Sequence, residues 1–250
     1  MFTTLQKYDM INIFKVGVYM IFPKTNVQNI RNTFIDLYKN KKFVKDKSGV
    51  DTIEIINASF IADQEAIFGT PNTDWHQREL TWYLSQSLNV NDIPAPIPKI
   101  WQAVADKEGF INSNYGWMIF SEENFNQYAH CLKALQNDST SRRAEMIYTR
   151  PSMQLDYNKN GRSDFVCCQY TQHLIRDNKL ISLIYFRSSD SVHGYKGDRF
   201  FADWVHTSLY ENLLTTYPDL QLGDIIWNAS SLHIYEAHFP LIEKYIEENK

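Results

Sequence analysis

At 250 residues and 29.4 kDa, the chain is long enough for one large domain or two small ones, and its 44% hydrophobic and 14% aromatic content suffices for a sizeable core. A net charge of −4 and a pI near 6.0 argue against a protein that coats nucleic acid, although a small phosphate site needs only a few local arginines. Three cysteines, two of them adjacent, make no disulfide framework and point to reduced thiols and a cytoplasmic setting.

The N-terminal apolar run from Val16 to Phe22 is far shorter than the roughly 20 residues of a membrane helix and has no small-residue cleavage site, so neither a membrane span nor secretion is expected. Thr25 reads as an N-cap, and Val27, Ile30, Phe34 and Leu37-Tyr38 recur at helical spacing over about 26–40. The lysine-rich stretch from Lys39 to Lys47 reads as a solvated helix end and turn. The β-branched run from Thr52 to Ala62 predicts a buried strand. After the turn at Gly69 to Asn72, Thr73 is expected to cap a helix through about Gln86 with Leu80, Tyr83 and Leu84 inward. The proline-rich loop from Ile93 to Pro98 makes a stiff connector into Ile100-Trp101-Gln102.

Ser121 is expected to start a helix with Phe125, Tyr128, Leu132 and Leu135 on one face and Cys131 in the core. Strands follow at about 144–149, 165–175 and 180–186. The last is apolar throughout, as in a central strand covered on both faces. Phe200 to Leu214 reads as a helix, Asp224 to Trp227 as a strand, and a C-terminal helix begins near Glu236. With no repeat and no linker, one α+β domain with a large sheet is the expected architecture.

Chemistry-bearing residues concentrate between Asp164 and Asp198. Cys167, placed in a strand, is by residue type more often an inert small hydrophobe than a nucleophile. The balance shifts because the next strand ends in Phe186-Arg187-Ser188-Ser189-Asp190: if the two strands are neighbours, a guanidinium lies near the thiol and favours its thiolate. Ser141-Arg142-Arg143 offers a second pair of planar forks suited to phosphate. Glu79 lies on the inner side of its helix, where a carboxylate must be paired or border a wet cleft. His233 and Tyr235 offer hydrogen bonds to a sugar. No dinucleotide, Walker-type, zinc or serine-hydrolase motif is present in the sequence, and no metal is expected.

Glu79 in Arg-Glu-Leu-Thr-Trp, Ile100-Trp101, Asn114-Tyr115-Gly116, Ser141-Arg142-Arg143, Cys167 with Gln172, Arg187 to Asp190, Gly194 and His233-Ile234-Tyr235 follow one another in a characteristic order. In that order and spacing, over about Thr25 to Ile246, the chain resembles the thymidylate synthase superfamily. The stretches INSNYGW, MIYTRPSMQ and DIIWNASSLHIY make it more similar to the branch, known from phages, that hydroxymethylates deoxycytidylate. The resemblance implies a single α+β domain over 25–250 with a large mixed sheet flanked by helices, dimerising through that sheet. It leaves 1–24 as an extension of unassigned role. It also implies Cys167, Glu79 and Asp198 as catalytic residues. Lys47, Tyr115, Arg142, Arg143, Gln172, Arg187, Ser188, Ser189, His233 and Tyr235 would bind nucleotide, with Arg142 and Arg143 reaching the other subunit's site. Trp101, Asp190 and Gly194 would contact the co-substrate 5,10-methylenetetrahydrofolate.

Four departures from ordinary thymidylate synthases stand out. Val166-Cys167-Cys168 replaces Pro-Cys-His, Lys47 stands where an arginine is usual, and the chain ends Glu-Glu-Asn-Lys without an apolar closing tail. The decisive difference is Asp198, where those enzymes have an asparagine that pairs with uracil. A carboxyl group accepts from cytosine's exocyclic amine and shares a proton with ring nitrogen 3, whereas an ionised aspartate would face a carbonyl oxygen of uracil. The plainer alternative is that Asp198 caps the helix expected near Arg199. The implied reaction is hydroxymethyl transfer to carbon 5 of dCMP. Methylation, hydroxymethylation of dUMP or CMP, and a non-catalytic nucleotide-binding subunit remain open at this stage.

Overall fold

The structure, a computed structural model, describes residues 25–46 and 49–249. The N-terminal extension and Lys47 lie outside them. Helix α1 (Val27–Lys39) begins one residue beyond the expected cap: the Asn26 side chain accepts from Asn29 N, and the Asn29 side chain accepts from Asn26 N. The lysine-rich stretch beyond it contributes a two-residue edge strand, β1 (Val44–Lys45), beside the long β2 (Asp51–Ile61). Strand β2 is buried at Ile53, Ala58 and Phe60 but leaves Ile56 69% exposed, so only part of the expected buried run is covered.

Asn72, not Thr73, caps α2 (Thr73–Ser85), its side chain accepting from Trp75 N. Leu80 and Tyr83 point inward as the periodicity predicts. Leu84 instead falls off the stripe that His76, Glu79, Leu80 and Tyr83 define, and is exposed. The proline-rich connector leads into two short helices that the sequence pattern did not reveal, α3 (Lys99–Val104) and α4 (Tyr115–Phe120). Ser121 caps only a 3-10 turn. Phe125 and Asn126 then adopt left-handed conformations, and Asn126 caps α5 (Gln127–Asn137). Phe125 is therefore exposed rather than part of the helical stripe, while Cys131 and Leu135 are buried as expected.

After β3 (Glu145–Ile147) and the single turn α6 (Met153–Asp156), the chain enters β4 (Cys168–Arg176), turns, and returns as β5 (Lys179–Phe186). Cys167 stands one residue before β4 rather than within a strand. A two-residue strand, β6 (Ser189–Asp190), precedes α7 (His193–Leu213), which starts seven residues earlier than Phe200. Gly194 and Asp198 thus lie inside a helix, and the capping role considered for Asp198 is excluded. β7 (Gln221–Tyr235) runs far beyond the expected four residues and carries His233 and Tyr235, and α8 (Phe239–Glu248) closes the described chain. Bulk apolar content hid these extensions because Gly194 and Gly197 weaken the helical signal and Asn228, Ser230 and Ser231 the strand signal.

The strands form one mixed sheet in the order β1-β2-β7-β5-β4-β3, with β6 pairing β7. β7 is antiparallel to β2 and parallel to β5 and β6. Ser182, Ile184 and Phe186 of β5 are buried, whereas Leu183 and Tyr185 are half-buried. Contrary to the sequence expectation, the central strand is thus fully covered on only one face of this chain. On the other, Tyr170 and Tyr185 stack at 4.3 Å.

Two close joints fix the helices that bear on this sheet. A β-carbon added to Gly116 of α4 would lie 1.8 Å from the Tyr83 carbonyl oxygen, so only glycine lets α4 approach α2 this closely. Buried Asp164 accepts from Asn112 N (2.5 Å), Ser113 N (2.8 Å) and Ser113 Oγ (2.5 Å), tying the loop before α4 to the segment before Cys167. Asp164→Ala leaves three donors without their acceptor and is expected to lower stability by about 3 kcal/mol. Urea denaturation measures this, and a midpoint equal to that of the parent would show the joint to be dispensable.

Candidate active site

The turn joining β4 to β5 makes neighbours of residues twenty apart. Cys168 pairs with Phe186, so Cys167 and Arg187 stand side by side where β4 begins and β5 ends. Arg187 Nε donates to Val166 O (2.9 Å), Nη2 donates to Phe165 O (2.6 Å), and the guanidinium carbon lies 4.7 Å from the centroid of the Phe165 ring. The same Nη2 lies 3.6 Å from Cys167 Sγ. Nη1 makes no hydrogen bond among the described residues and is the free edge of the fork. The neighbouring strands that the thiolate reading required are therefore present.

Burial pushes the Cys167 thiol up to about 11. Arg187 pulls the other way, and Asp198, Asp164 and Asp190 add to the rise. The thiol is consequently held protonated near neutral pH, with the guanidinium as its one favourable charge. Alkylation of Cys167 by iodoacetamide should accelerate with pH without levelling below about pH 10, and Arg187→Gln should slow it several-fold at pH 8. Peptide mass mapping separates Cys167 from its neighbour, and a plateau near pH 8 would contradict the buried-thiol account.

Two acids face this corner from the helices. Glu79 on α2 is 8% exposed, accepts from Trp101 Nε1 at 3.1 Å and also bonds Tyr83. Burial raises it to about 7 against those two bonds. Asp198 on α7 is half-buried and lines a narrow cavity with Tyr115, Tyr148 and Cys168. Its acid form is strongly favoured, by burial first and then by the nearby Glu79, while a bond from Tyr115 favours the ionised form. A β-carbon on Gly197 would come 3.1 Å from Glu79 Oε2, so the absence of a side chain there lets the two acids share the corner.

The remaining sequence-derived residues divide into groups. Tyr115 is buried, stacks on Tyr83 at 5.4 Å and meets Asp198. The Asp190 carboxylate accepts from Val192 N, His193 N and Gly194 N, serving as the cap of α7. Strand β6 sets Ser189 beside Leu232 and Asp190 beside His233, so the Arg187–Asp190 segment lies against the end of β7 that carries His233 and Tyr235. The two rings are 4.9 Å apart. Ser188 is half-buried, whereas the buried Ser189 Oγ has no hydrogen-bond partner among the described residues. Trp101 packs on Trp82 at 5.1 Å with its indole N–H on Glu79.

Arg142 and Arg143 are not brought to this corner within the chain. They are exposed at the start of β3 on the sheet edge, where Gln172 Nε2 donates to Arg142 O at 2.9 Å. Sequence reasoning placed Tyr83 in the core without a role in the site and passed over Tyr148, Phe165 and Gly197, each of which touches or shapes the site. Phe165 and Tyr148 lie in stretches already singled out, DFVCC and MIYTRPSMQ, but only folding shows which of their residues face the corner. Among the described residues no helix is long and apolar enough to cross a membrane.

A neutral acid and a base poised near pH 7, set around a thiol with one guanidinium, suit covalent addition accompanied by proton transfer. The thymidylate synthase family model matches residues 30–250. Deoxycytidylate 5-hydroxymethyltransferase of Enterobacteria phage T6 is 50% identical over 228 residues, spanning 90% of this chain and 93% of the relative, and that of phage T4 is 49% identical over the same length. A thymidylate synthase of Francisella philomiragia is 29% identical over 178 residues, 67% of this chain and 63% of that one. Among solved structures, a thermostable thymidylate synthase A from Bacillus subtilis superposes with a TM-score of 0.64 at 21% identity, covering 89% of this chain and 84% of the other.

Proposed function

Since the chain belongs to the thymidylate synthase family, we propose that it transfers a hydroxymethyl group to carbon 5 of dCMP. The observation that carries this reading is Asp198: a carboxyl group kept in its acid form, bonded by Tyr115 and near enough to Cys167 to raise the cost of its thiolate. A carboxylic acid there donates to ring nitrogen 3 of cytosine and accepts from the exocyclic amine. The naming of the phage relatives as deoxycytidylate 5-hydroxymethyltransferases supports the same substrate.

Nucleotide phosphate is held by the free Nη1 edge of Arg187 with Ser188 and Ser189, and the sugar hydroxyl by His233 and Tyr235. Cys167 adds to carbon 6, its thiol proton passing to water as the bond forms, and Asp198 gives a proton to ring nitrogen 3 that it recovers when the sulfur is later expelled, so that carbon 5 gains enamine character. The bound co-substrate 5,10-methylenetetrahydrofolate supplies the one-carbon unit. The indole of Trp101, next to Glu79 and backed by Trp82, offers a flat apolar wall of the type a pterin ring requires. Asp190 and Gly194, at the start of α7, complete that side. Glu79 removes the carbon 5 proton and orients the water that ends as the hydroxyl of 5-hydroxymethyl-dCMP, while expulsion of Cys167 restores the ring double bond.

Arg142 and Arg143 act in a second protomer's site. Their position at the sheet edge, remote from their own Arg187 and beside the incompletely covered face bearing Tyr170 and Tyr185, supports a homodimer formed through that face. Lys47 is assigned to phosphate on sequence grounds.

Incubating the protein with dCMP, dUMP or CMP and methylenetetrahydrofolate, and weighing the products, tests the assignment. The expected product from dCMP is heavier by one CH2O unit. Equal turnover of dUMP would remove the base-reading role of Asp198, and a methylated product would reassign the chain to methylation. Asp198→Asn should shift preference toward dUMP by at least about a hundredfold in relative kcat/KM. With Glu79 titrating near 7, kcat should change across pH 6–8. Glu79→Gln should remove that limb and lower kcat by about 10²–10⁴.

A further inference from the structure

The two oxygens of Glu79 meet different surroundings. Oε1 accepts from the indole N–H of Trp101 at 3.1 Å. Oε2 lies on the α7 side, 3.1 Å from the place that a β-carbon on Gly197 would take. Gly197 stands inside α7 without a positive φ, so what the glycine supplies there is space rather than a special backbone conformation. The carboxyl is buried, and its proton affinity is therefore set by these protein groups more than by water. Trp101 comes from α3, none of whose residues is fully buried. It meets α2 through its ring, 5.1 Å from that of Trp82, and through the bond to Glu79.

An indole N–H can only donate. Its bond strengthens against an ionised carboxylate and weakens against an oxygen that carries its own hydrogen. A proton taken up by Glu79 accordingly belongs on Oε2. Tyr83, the other side chain bonded to this carboxyl, has a hydroxyl that can donate or accept and so serves either state. The titratable groups that bear on Glu79 are thus Tyr83 from its own helix and Asp198 from α7, with Trp101 as the fixed donor from α3. Burial favours the acid form of Glu79, and the indole bond opposes it.

We propose that Trp101 is a positioning residue for Glu79: its N–H holds Oε1, leaves Oε2 as the oxygen that takes up and returns the proton, and ties the ionisation of Glu79 to the wall against which the co-substrate rests. The inference rests on the roles given above to Glu79 and Trp101. Coupling of this kind runs in both directions. Because the bond favours the ionised acid, a flat ligand that steadies Trp101 against Glu79 favours the carboxylate, which is the form a base requires.

With nitrogen-15 in the tryptophans of the ligand-free protein, the Trp101 indole N–H signal should titrate with a midpoint at about 7 and move downfield as Glu79 ionises. Glu79→Gln should abolish that titration. A signal that stays flat between about pH 5 and about pH 9 overturns the proposal. Placing benzothienylalanine at position 101 keeps both fused rings and puts sulfur where the N–H stood. Loss of the donor penalises only the ionised form. The carbon-13 titration of the Glu79 carboxyl, and the rise of kcat with pH, should therefore move upward by about one pH unit, a tenfold change in proton affinity. Trp101→Phe should move both in the same direction. A carboxyl titration that stays in place in both variants means that the indole only packs, and the proposal fails. In an atomic-resolution crystal structure at about pH 5, the longer carbon–oxygen bond of Glu79 should be the one to Oε2, and a longer bond to Oε1 overturns the assignment. Failure of the functional reading has a different signature: no product would form from dCMP, while the indole and carboxyl signals of the parent protein still titrate together.

Discussion

The guanidinium of Arg187, clamped onto the carbonyls of Phe165 and Val166, is the contact on which the rest of the site depends. It fastens the end of β5 to the segment entering β4, and it places a fixed positive charge 3.6 Å from the Cys167 sulfur. Planar geometry matters here. One edge of the fork holds the backbone and the thiol while Nη1 makes no hydrogen bond to the described residues, a division that the point charge of a lysine could not reproduce. The sheet carries the clamp's consequence outward. Because β6 runs parallel to β7, the residues just after Arg187 are set against His233, and Asp190 caps the helix that delivers Asp198.

Around that fixed charge the protein gathers acids rather than more bases. Asp198, Asp164 and Asp190 all raise the cost of a thiolate, and Glu79 raises the cost of ionising Asp198. An arrangement in which the sulfur and Asp198 hold their protons while Glu79 is poised to gain or lose one near pH 7 is suited to a reaction where protons must be handed to and taken from the same ring. Aromatic packing of Tyr83, Tyr115 and Trp82 around the carboxyls keeps water from levelling these differences.

Much of the architecture was legible in one dimension. Apolar periodicity located α1, α2, α5 and the cores of β2, β4 and β5, and the ordered motifs located the corner of the sheet where the site lies. Caps misled where two candidates were adjacent: Asn26 displaced Thr25, and Asn72 displaced Thr73, because the side chain that reaches the third backbone N–H wins. Short helices without a stripe, such as α3 and α4, escaped because their stability comes from tertiary contact, as the fit of Gly116 against Tyr83 shows. The early start of α7 escaped because two glycines weaken its intrinsic helical signal, while Asp190 caps it from outside the helix.

By itself the sequence determined the α+β class, the strand–turn–strand that sets a cysteine against an arginine, and the set of residue types able to do the chemistry, since periodicity and short-range pairing are local properties of the chain. Only the tertiary structure decided that Asp198 sits inside a helix with its proton retained rather than capping one. The fold also decided that Glu79 lies beside Gly197 and that Arg142 and Arg143 stand away from their own chain's Arg187. Each of these depends on burial and on through-space electrostatics between segments distant in the chain, which no local pattern encodes.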